Sequence, residues 1–316
     1  MSQALSTKLV SIVIPVFNNE QSIPHLWDEL LEQISNFPTL KFQVAFVDDG
    51  SSDKSTDKIL ALKHHPQVEL VLIELTKNYG QLSALKAGYA NVTGDAIVTI
   101  SADLQDPTSI VTSFVNHWLK GSKLVLGERI ARDDGFIKNL TSFLGYSILS
   151  LDNPKIPKGG FDIFLASKEI ISKINSMQGR FTFLQGDILS TGYNFQTVKY
   201  SRKKRIHGKS GYTFRKRLNN FFVAFFDSSY RPVRYLTSFG TLFAVSGFSL
   251  GAYLLYQRFQ PGTPINGLSL LATLILFTSG MQMLFLSVIA QYVWRIYDLN
   301  RNKPSYVVNN ITQISI

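Results

Sequence analysis

The stretch Ser101-Ala102-Asp103-Leu104-Gln105-Asp106-Pro107 puts two carboxylates, an amide and a hydroxyl directly after the apolar run Ala96–Ile100. Oxygen donors in this pattern suit two tasks. They build turns and helix caps, or they hold a hard divalent cation beside a phosphate. A second acidic cluster, "VDDGSSDKS", follows the apolar run that ends at Val47. Within it Asp49-Gly50 suits a turn, and Ser52 or Asp53 suits a cap for the next helix. Asp48 stands earlier, where the chain is still apolar. A third polar cluster, "PVFNNE", contributes Pro15, Asn18 and Glu20 after the first apolar run. Asp106, next to Pro107, reads as a helix cap rather than a ligand.

Three clusters cooperate only if the fold brings them together. "LVSIVIPVF", "FQVAFVDD", "VELVLIEL" and "AIVTIS" read as buried strands. "IPHLWDELLEQI" has helical spacing, with Ile23, Leu26, Leu30, Leu31 and Ile34 on one side. "STDKILALKHH" and "QLSALKAGYANV" read as the next two helices. Strands alternating with helices predict an α/β fold with a mostly parallel sheet. Ligands of such sheets bind outside the carboxyl ends of the strands. All three clusters fall on that edge. There is no G-x-G-x-x-G after the first strand and no G-x-x-x-x-G-K-[ST]. A nucleotide bound here would therefore be held by carboxylates, an amide and a metal.

The chain has 316 residues and a net charge of +10, which suggests an anionic partner. It has no cysteine, so disulfides and thiolate metal sites are excluded. His25, His64, His65, His117 and His207 show no ligand spacing. No signal peptide is expected at the N-terminus. From Leu236 to Gln257 there is no charge, and after Arg258 none until Arg295. A transmembrane helix needs about 20 apolar residues, and both stretches meet that length. Tyr200 to Arg217 is basic without acids, Arg231 and Arg234 abut the first run, and Arg295, Arg301 and Lys303 follow the second. That bias predicts both termini in the cytoplasm. The basic stretch also suits contact with anionic lipid, and because it adjoins a span, nucleic acid is not expected as a partner.

In this order, "VSIVIPVFNNEQSI", "VDDGSSDKSTDKIL", "NYGQLSALKAGYANVTGDAIVTISADLQDP", "LGER", "RIHGKSGY" and the two apolar runs resemble the GT-A fold glycosyltransferases of family 2. The resemblance is to their polyisoprenyl-phosphate group, which contains dolichol-phosphate mannose synthases and bacterial undecaprenyl-phosphate glycosyltransferases. It extends over nearly the whole chain. It implies a GT-A (Rossmann-like) catalytic domain over residues 1–205 and a basic, amphipathic juxtamembrane segment over 206–234. A transmembrane hairpin over 235–295 and a cytosolic tail over 296–316 follow. It also implies transfer of a hexose-type sugar from a UDP- or GDP-sugar to a polyisoprenyl phosphate at the bacterial inner membrane. A homo-oligomer is expected, and Gly240, Gly247 and Gly251 would allow close helix approach.

Matched position by position, the resemblance gives Pro15, Asn18, Glu20, Asp48, Asp49, Ser101 and Ser210 to the nucleotide sugar. It gives Asp103 and Gln105 to Mg²⁺ or Mn²⁺, and catalytic roles to Asp103, Arg129 and Arg205. Arg205 and Ser210 would close over the diphosphate. Arg129 would face the acceptor phosphate, its alternative being a surface ion pair. That phosphate has a second pKa near 6, so it needs positioning rather than a base. Ser101 stands where these relatives usually carry aspartate, which predicts weak metal binding without donor. Asp162 stands where relatives commonly carry arginine, with Lys158 as a possible substitute. Phe136 to Ile148 and Tyr212 to Phe226 suit interfacial helices or packing on the catalytic domain. Two other readings are a processive polysaccharide synthase and an inactive nucleotide-sugar sensor. Against the first, "QYVWR" at Gln291 to Arg295 has the wrong order for Q-x-x-R-W.

Overall fold

The computed structural model describes residues 8–130, 161–177, 184–202, 267–300 and 304–314, with scattered helical positions between 238 and 256. The chain divides into two compact units, Met1–Asp227 with Pro304–Ile316, and Ser228–Lys303.

The first unit is built on an eight-stranded sheet. Its strands are β1 (Leu9–Val16), β2 (Lys41–Asp48), β3 (Val68–Leu75), β4 (Ala96–Thr99), β5 (Leu124–Arg129), β6 (Phe164–Ser167), β7 (Gln196–Tyr200) and β8 (Val308–Ile314). Their spatial order is β7-β5-β6-β4-β1-β2-β3-β8. β1 pairs in parallel with β2 and β4, β2 with β3, and β5 with β7. Only β6 and β8 run antiparallel to their neighbours. The strands from β1 to β4 are apolar on both faces because helices cover both sides.

Helices α1 (Ile23–Ile34), α2 (Ser55–Leu60), α3 (Gln81–Ala90), α4 (Ser109–Leu119), α5 (Lys168–Ser176) and α6 (Leu184–Ser190) connect the strands. α1 buries Ile23, Leu26, Trp27, Leu30 and Ile34, the stripe expected from its spacing with Trp27 in place of the half-buried Leu31. α2 is shorter than its sequence suggested, because Ala61 closes it and a bridge at His65 turns the chain into β3. α3 lies close on β1 and β2, and a methyl group at Gly88 would stand 2.3 Å from Val13. Ser11 and Gln43 form a paired polar cluster inside this core. Ser11 donates to Gln43 at 2.9 Å, and the backbone of Thr93 and Gly94 donates to that pair.

β8 corrects one expectation. Residues 308–314, read from sequence as part of a tail, pair antiparallel with β3. An unpaired β3 would leave a row of backbone donors and acceptors open at the sheet edge, and β8 closes it.

In the second unit, helix α7 spans Gly267–Asn300. Positions between 238 and 256 are helical where described. Gly240 lies 3.7 Å from Phe285 by its would-be methyl group. Among the described residues no helix is long and apolar enough to cross a membrane. The expected interfacial helices, at 136–148 and 212–226, and Gly247 and Gly251 fall outside the described residues.

Candidate functional site

The strand order reverses at β1, whose neighbours are β2 on one side and β4 on the other. A crevice opens at such a point, outside the carboxyl ends. β1 delivers Pro15 and Asn18 there, β2 delivers Asp48 and Asp49, and β4 delivers Ser101 and Asp103. β5 and β7 end on the same edge, at Arg129 and Tyr200, and antiparallel β6 starts there just after Asp162.

On the β1–β2 side the two loops are stitched together. Asn18 adopts φ 54°, and its Oδ1 accepts the backbone N–H of Ser52 at 2.9 Å. Its own N–H donates to the Ser51 hydroxyl at 3.0 Å. Glu20 accepts the Lys54 N–H at 3.0 Å and donates its own to Asp53 at 3.1 Å. Asp53 also accepts the Ser55 N–H at 3.0 Å, just ahead of α2. Pro15 is half-buried and sits in register with Val47.

The acidic pair is buried and braces these loops. Asp48 accepts the N–H of Ser51 at 3.2 Å and also its hydroxyl. Asp49 accepts the backbone N–H groups of Tyr79 at 2.7 Å and Gly80 at 2.8 Å. Asp49 is thus more than a turn former, since it ties the β2 loop to the β3–α3 loop. Burial pushes its carboxyl above the ordinary value; the two backbone bonds oppose that shift, and the Asp48 charge adds to it.

On the β4 side the Ser101 hydroxyl lies 2.8 Å from Asp103 and 2.9 Å from Asp106. One hydroxyl proton serves one carboxylate at a time. The Gln105 N–H donates to Asp103 at 3.2 Å, within a turn where Leu104 takes φ 56°. Asp106 is not the cap expected from sequence. Thr108 holds the N-cap position of α4 without a side-chain bond, and Asp106 turns inward toward Arg202. Burial raises the Asp106 carboxyl; Arg202 and Ser101 oppose this, while Asp103 and Asp162 add to it.

Arg202 was missed in the sequence because it opens the run Arg202–Arg205, where neighbouring cations mask it. Its guanidinium lies 3.4 Å from Asp106, 3.9 Å from Asp103 and 4.0 Å from Asp162. Arg129 forms an ion pair with Asp162, a specific partner that the alternative reading had left open. Burial opposes the Arg129 charge, and the field of Asp162 and the contacts with Tyr200 outweigh it. Arg205, Ser210 and Lys158 lie outside the described residues.

Asp103 and Gln105 stand together at the tip of β4. Among the described residues there is no group of three His, Cys, Asp or Glu side chains that could hold a metal ion. The donor set is nonetheless all oxygen, with one carboxylate and an adjacent amide. That set fits Mg²⁺ or Mn²⁺ taking its remaining ligands from a diphosphate and water.

The profile of the family described as "Glycosyl transferase family 2" matches residues 11–174. The chain is 30% identical to the bactoprenol glucosyl transferase of Shigella phage SfV, covering 96% of this chain and 99% of that protein. It is also 30% identical to the undecaprenyl-phosphate 4-deoxy-4-formamido-L-arabinose transferase of Photorhabdus laumondii, over 96% of this chain and 94% of that one. The solved mannosyl-3-phosphoglycerate synthase of Rubrobacter xylanophilus shares the fold. Its TM-score is 0.51 at 17% identity, with coverage of 81% of this chain and 79% of that one.

Proposed function

Because the chain belongs to glycosyl transferase family 2 and is a glycosyltransferase, we propose that it moves a hexose-type sugar from a UDP- or GDP-sugar to a polyisoprenyl phosphate at a lipid bilayer. One observation carries this reading. Carboxylates fit for a metal–diphosphate complex and two guanidiniums fit for a second phosphate share one sheet edge, Asp103 and Arg202 being 3.9 Å apart. Relatives aligned over nearly their full length are named for bactoprenol or undecaprenyl phosphate, which supports a lipid phosphate as acceptor.

The nucleoside side is the stitched pair of loops at Pro15, Asn18 and Glu20, backed by Asp48 and Asp49. Asp103 and Gln105 would hold Mg²⁺ or Mn²⁺ together with the donor diphosphate, and the chemistry supplied there would be neutralisation of charge developing on the leaving nucleoside diphosphate. Ser101 offers a hydroxyl to the sugar, and Arg129 orients the acceptor phosphate. The acceptor oxygen is already anionic at pH 7, so no side chain has to remove its proton. Arg205 and Ser210 complete the diphosphate side in this reading.

The bilayer part of the proposal rests on the two uncharged runs and their basic flanks. Phe239, Leu242, Val245, Leu271, Phe277 and Met283 of the second unit are each more than half exposed, Met283 at 68%. Such side chains suit lipid better than water. In this arrangement the enzyme sits in a bacterial inner membrane, assembled as a homo-oligomer, with the catalytic unit and both termini cytoplasmic. The test is incubation of membranes and undecaprenyl phosphate with radiolabelled UDP- and GDP-sugars. Label in the organic phase from at least one donor is the expected outcome. Label released only as free sugar, with none in lipid, would refute the assignment.

A further inference from the structure

Arg129 and Arg202 converge on a single carboxylate. Arg129 pairs with Asp162, and Arg202 brings Nη1 to 4.0 Å from the same oxygen. Gln185 donates to the other Asp162 oxygen at 3.5 Å and to the Phe161 carbonyl at 2.6 Å. The Asp162 side chain is 49% exposed, so it can leave this position without breaking the core. The neighbouring donors are engaged only within the same cluster: the buried Tyr200 hydroxyl contacts Arg129, and Nε of Arg202 lies 3.4 Å from Asp106. A carboxylate offers two oxygens and one charge. A phosphate monoester offers three oxygens and nearly two charges, and guanidinium forks match it well.

We propose that Asp162 is a built-in stand-in for the acceptor phosphate: its carboxylate holds the Arg129–Arg202 anion position until a phosphate monoester displaces it. The inference rests on the lipid-phosphate reading above and adds a selectivity device to it. Among the described residues three carboxylates, Asp103, Asp106 and Asp162, face two guanidiniums before any acceptor arrives. A singly charged head group gains little over the resident carboxylate. A dianion gains both charge and a third acceptor oxygen. Once displaced, Asp162 moves toward water, where it is already half placed.

The experiment measures equilibrium binding of farnesyl phosphate to the purified full-length protein in detergent without donor. Inorganic phosphate forms a parallel series. Wild type is compared with Asp162→Asn, Asp162→Ser and Arg129→Gln. Both Asp162 variants should bind farnesyl phosphate about five- to tenfold more tightly, as expected when one nearby like charge is removed at a partly exposed site. Arg129→Gln should bind it more weakly than wild type. The same gain with inorganic phosphate assigns recognition to the phosphate group itself, and a gain confined to farnesyl phosphate assigns it to the lipid. Asp162 variants that bind neither ligand more tightly than wild type would overturn the proposal. Sugar transfer is assayed on the same preparations. Transfer without any gain in binding removes the stand-in role alone, whereas a preserved binding order without transfer removes the reaction alone.

Discussion

Gly50→Ala is the substitution that tests most directly how the acidic pair is held. Gly50 has φ +70°, and a methyl group there would lie 2.6 Å from the Lys77 carbonyl carbon and 2.7 Å from the Asn78 nitrogen. The left-handed conformation alone costs an L-residue about 1–2 kcal/mol. The clash is with backbone, which cannot rotate away as a side-chain tip would, and overpacking of this kind adds about 1–3 kcal/mol. Gly192 separates the two effects, because it has φ +75° but nothing within 4 Å of its would-be methyl group. Gly192→Ala should therefore show the strain alone, and Gly50→Ala the strain plus the clash, about 2–5 kcal/mol in all. At about 2–4 °C per kcal/mol for a unit of this size, Gly50→Ala should melt about 4–20 °C below wild type. The displaced segment carries the Tyr79 and Gly80 N–H groups that hold Asp49. Donor affinity should fall with stability in Gly50→Ala and stay at the wild-type level in Gly192→Ala. Thermal melts with nucleotide-sugar titrations check both. Equal melting shifts for the two variants would refute the steric argument.

Asp103→Ala should lower sugar transfer at least about 100-fold with little change in melting, since its side chain supports charge at the site rather than the core. Chelation should abolish transfer, and added Mg²⁺ or Mn²⁺ should restore it, while the apoprotein alone should titrate with Mn²⁺ only weakly because the donor completes the ligand set. Arg202→Gln removes the cation shared by Asp103, Asp106 and Asp162. It should cut transfer by an order of magnitude or more, and donor and acceptor KM measured separately should both rise. A chain ending at Tyr306 lacks β8 and exposes the β3 edge, so it should aggregate on purification in a light-scattering assay.

Much of the fold was legible because burial on both faces writes strands as unbroken apolar runs. β3, Val68–Leu75, coincides with "VELVLIEL", and α1 with "IPHLWDELLEQI". The edge strand was not legible. β8 reads "VNNITQI", largely exposed and polar, and nothing local separates it from a tail. Short β6, Phe164–Ser167, sits between β4 and β5 through pairings that only the three-dimensional fold supplies. In the site, residue types located the three clusters but not their partners. Asp106 looked like a cap because it precedes Pro107, whereas its carboxylate turns to Arg202, about a hundred residues later in the chain. The signal that could have found it is the pairing of a buried carboxylate with the first arginine of a basic run ending a strand. Asp162 was noticed only as an unexpected residue type, and its ion pair with Arg129 gives that oddity a location.

Closure of the β3 edge has a consequence for biogenesis. Asn310 donates to Glu74 across a separation of 236 residues. During synthesis β3 leaves the ribosome well before its partner β8, which lies more than two hundred residues later. The growing catalytic sheet must therefore wait, with one flank bare, while the long apolar segments between Leu236 and Trp294 are made. Pairing of β3 with β8 thus follows synthesis of those segments, and a nascent chain arrested before Val308 leaves a sheet that lacks its eighth strand.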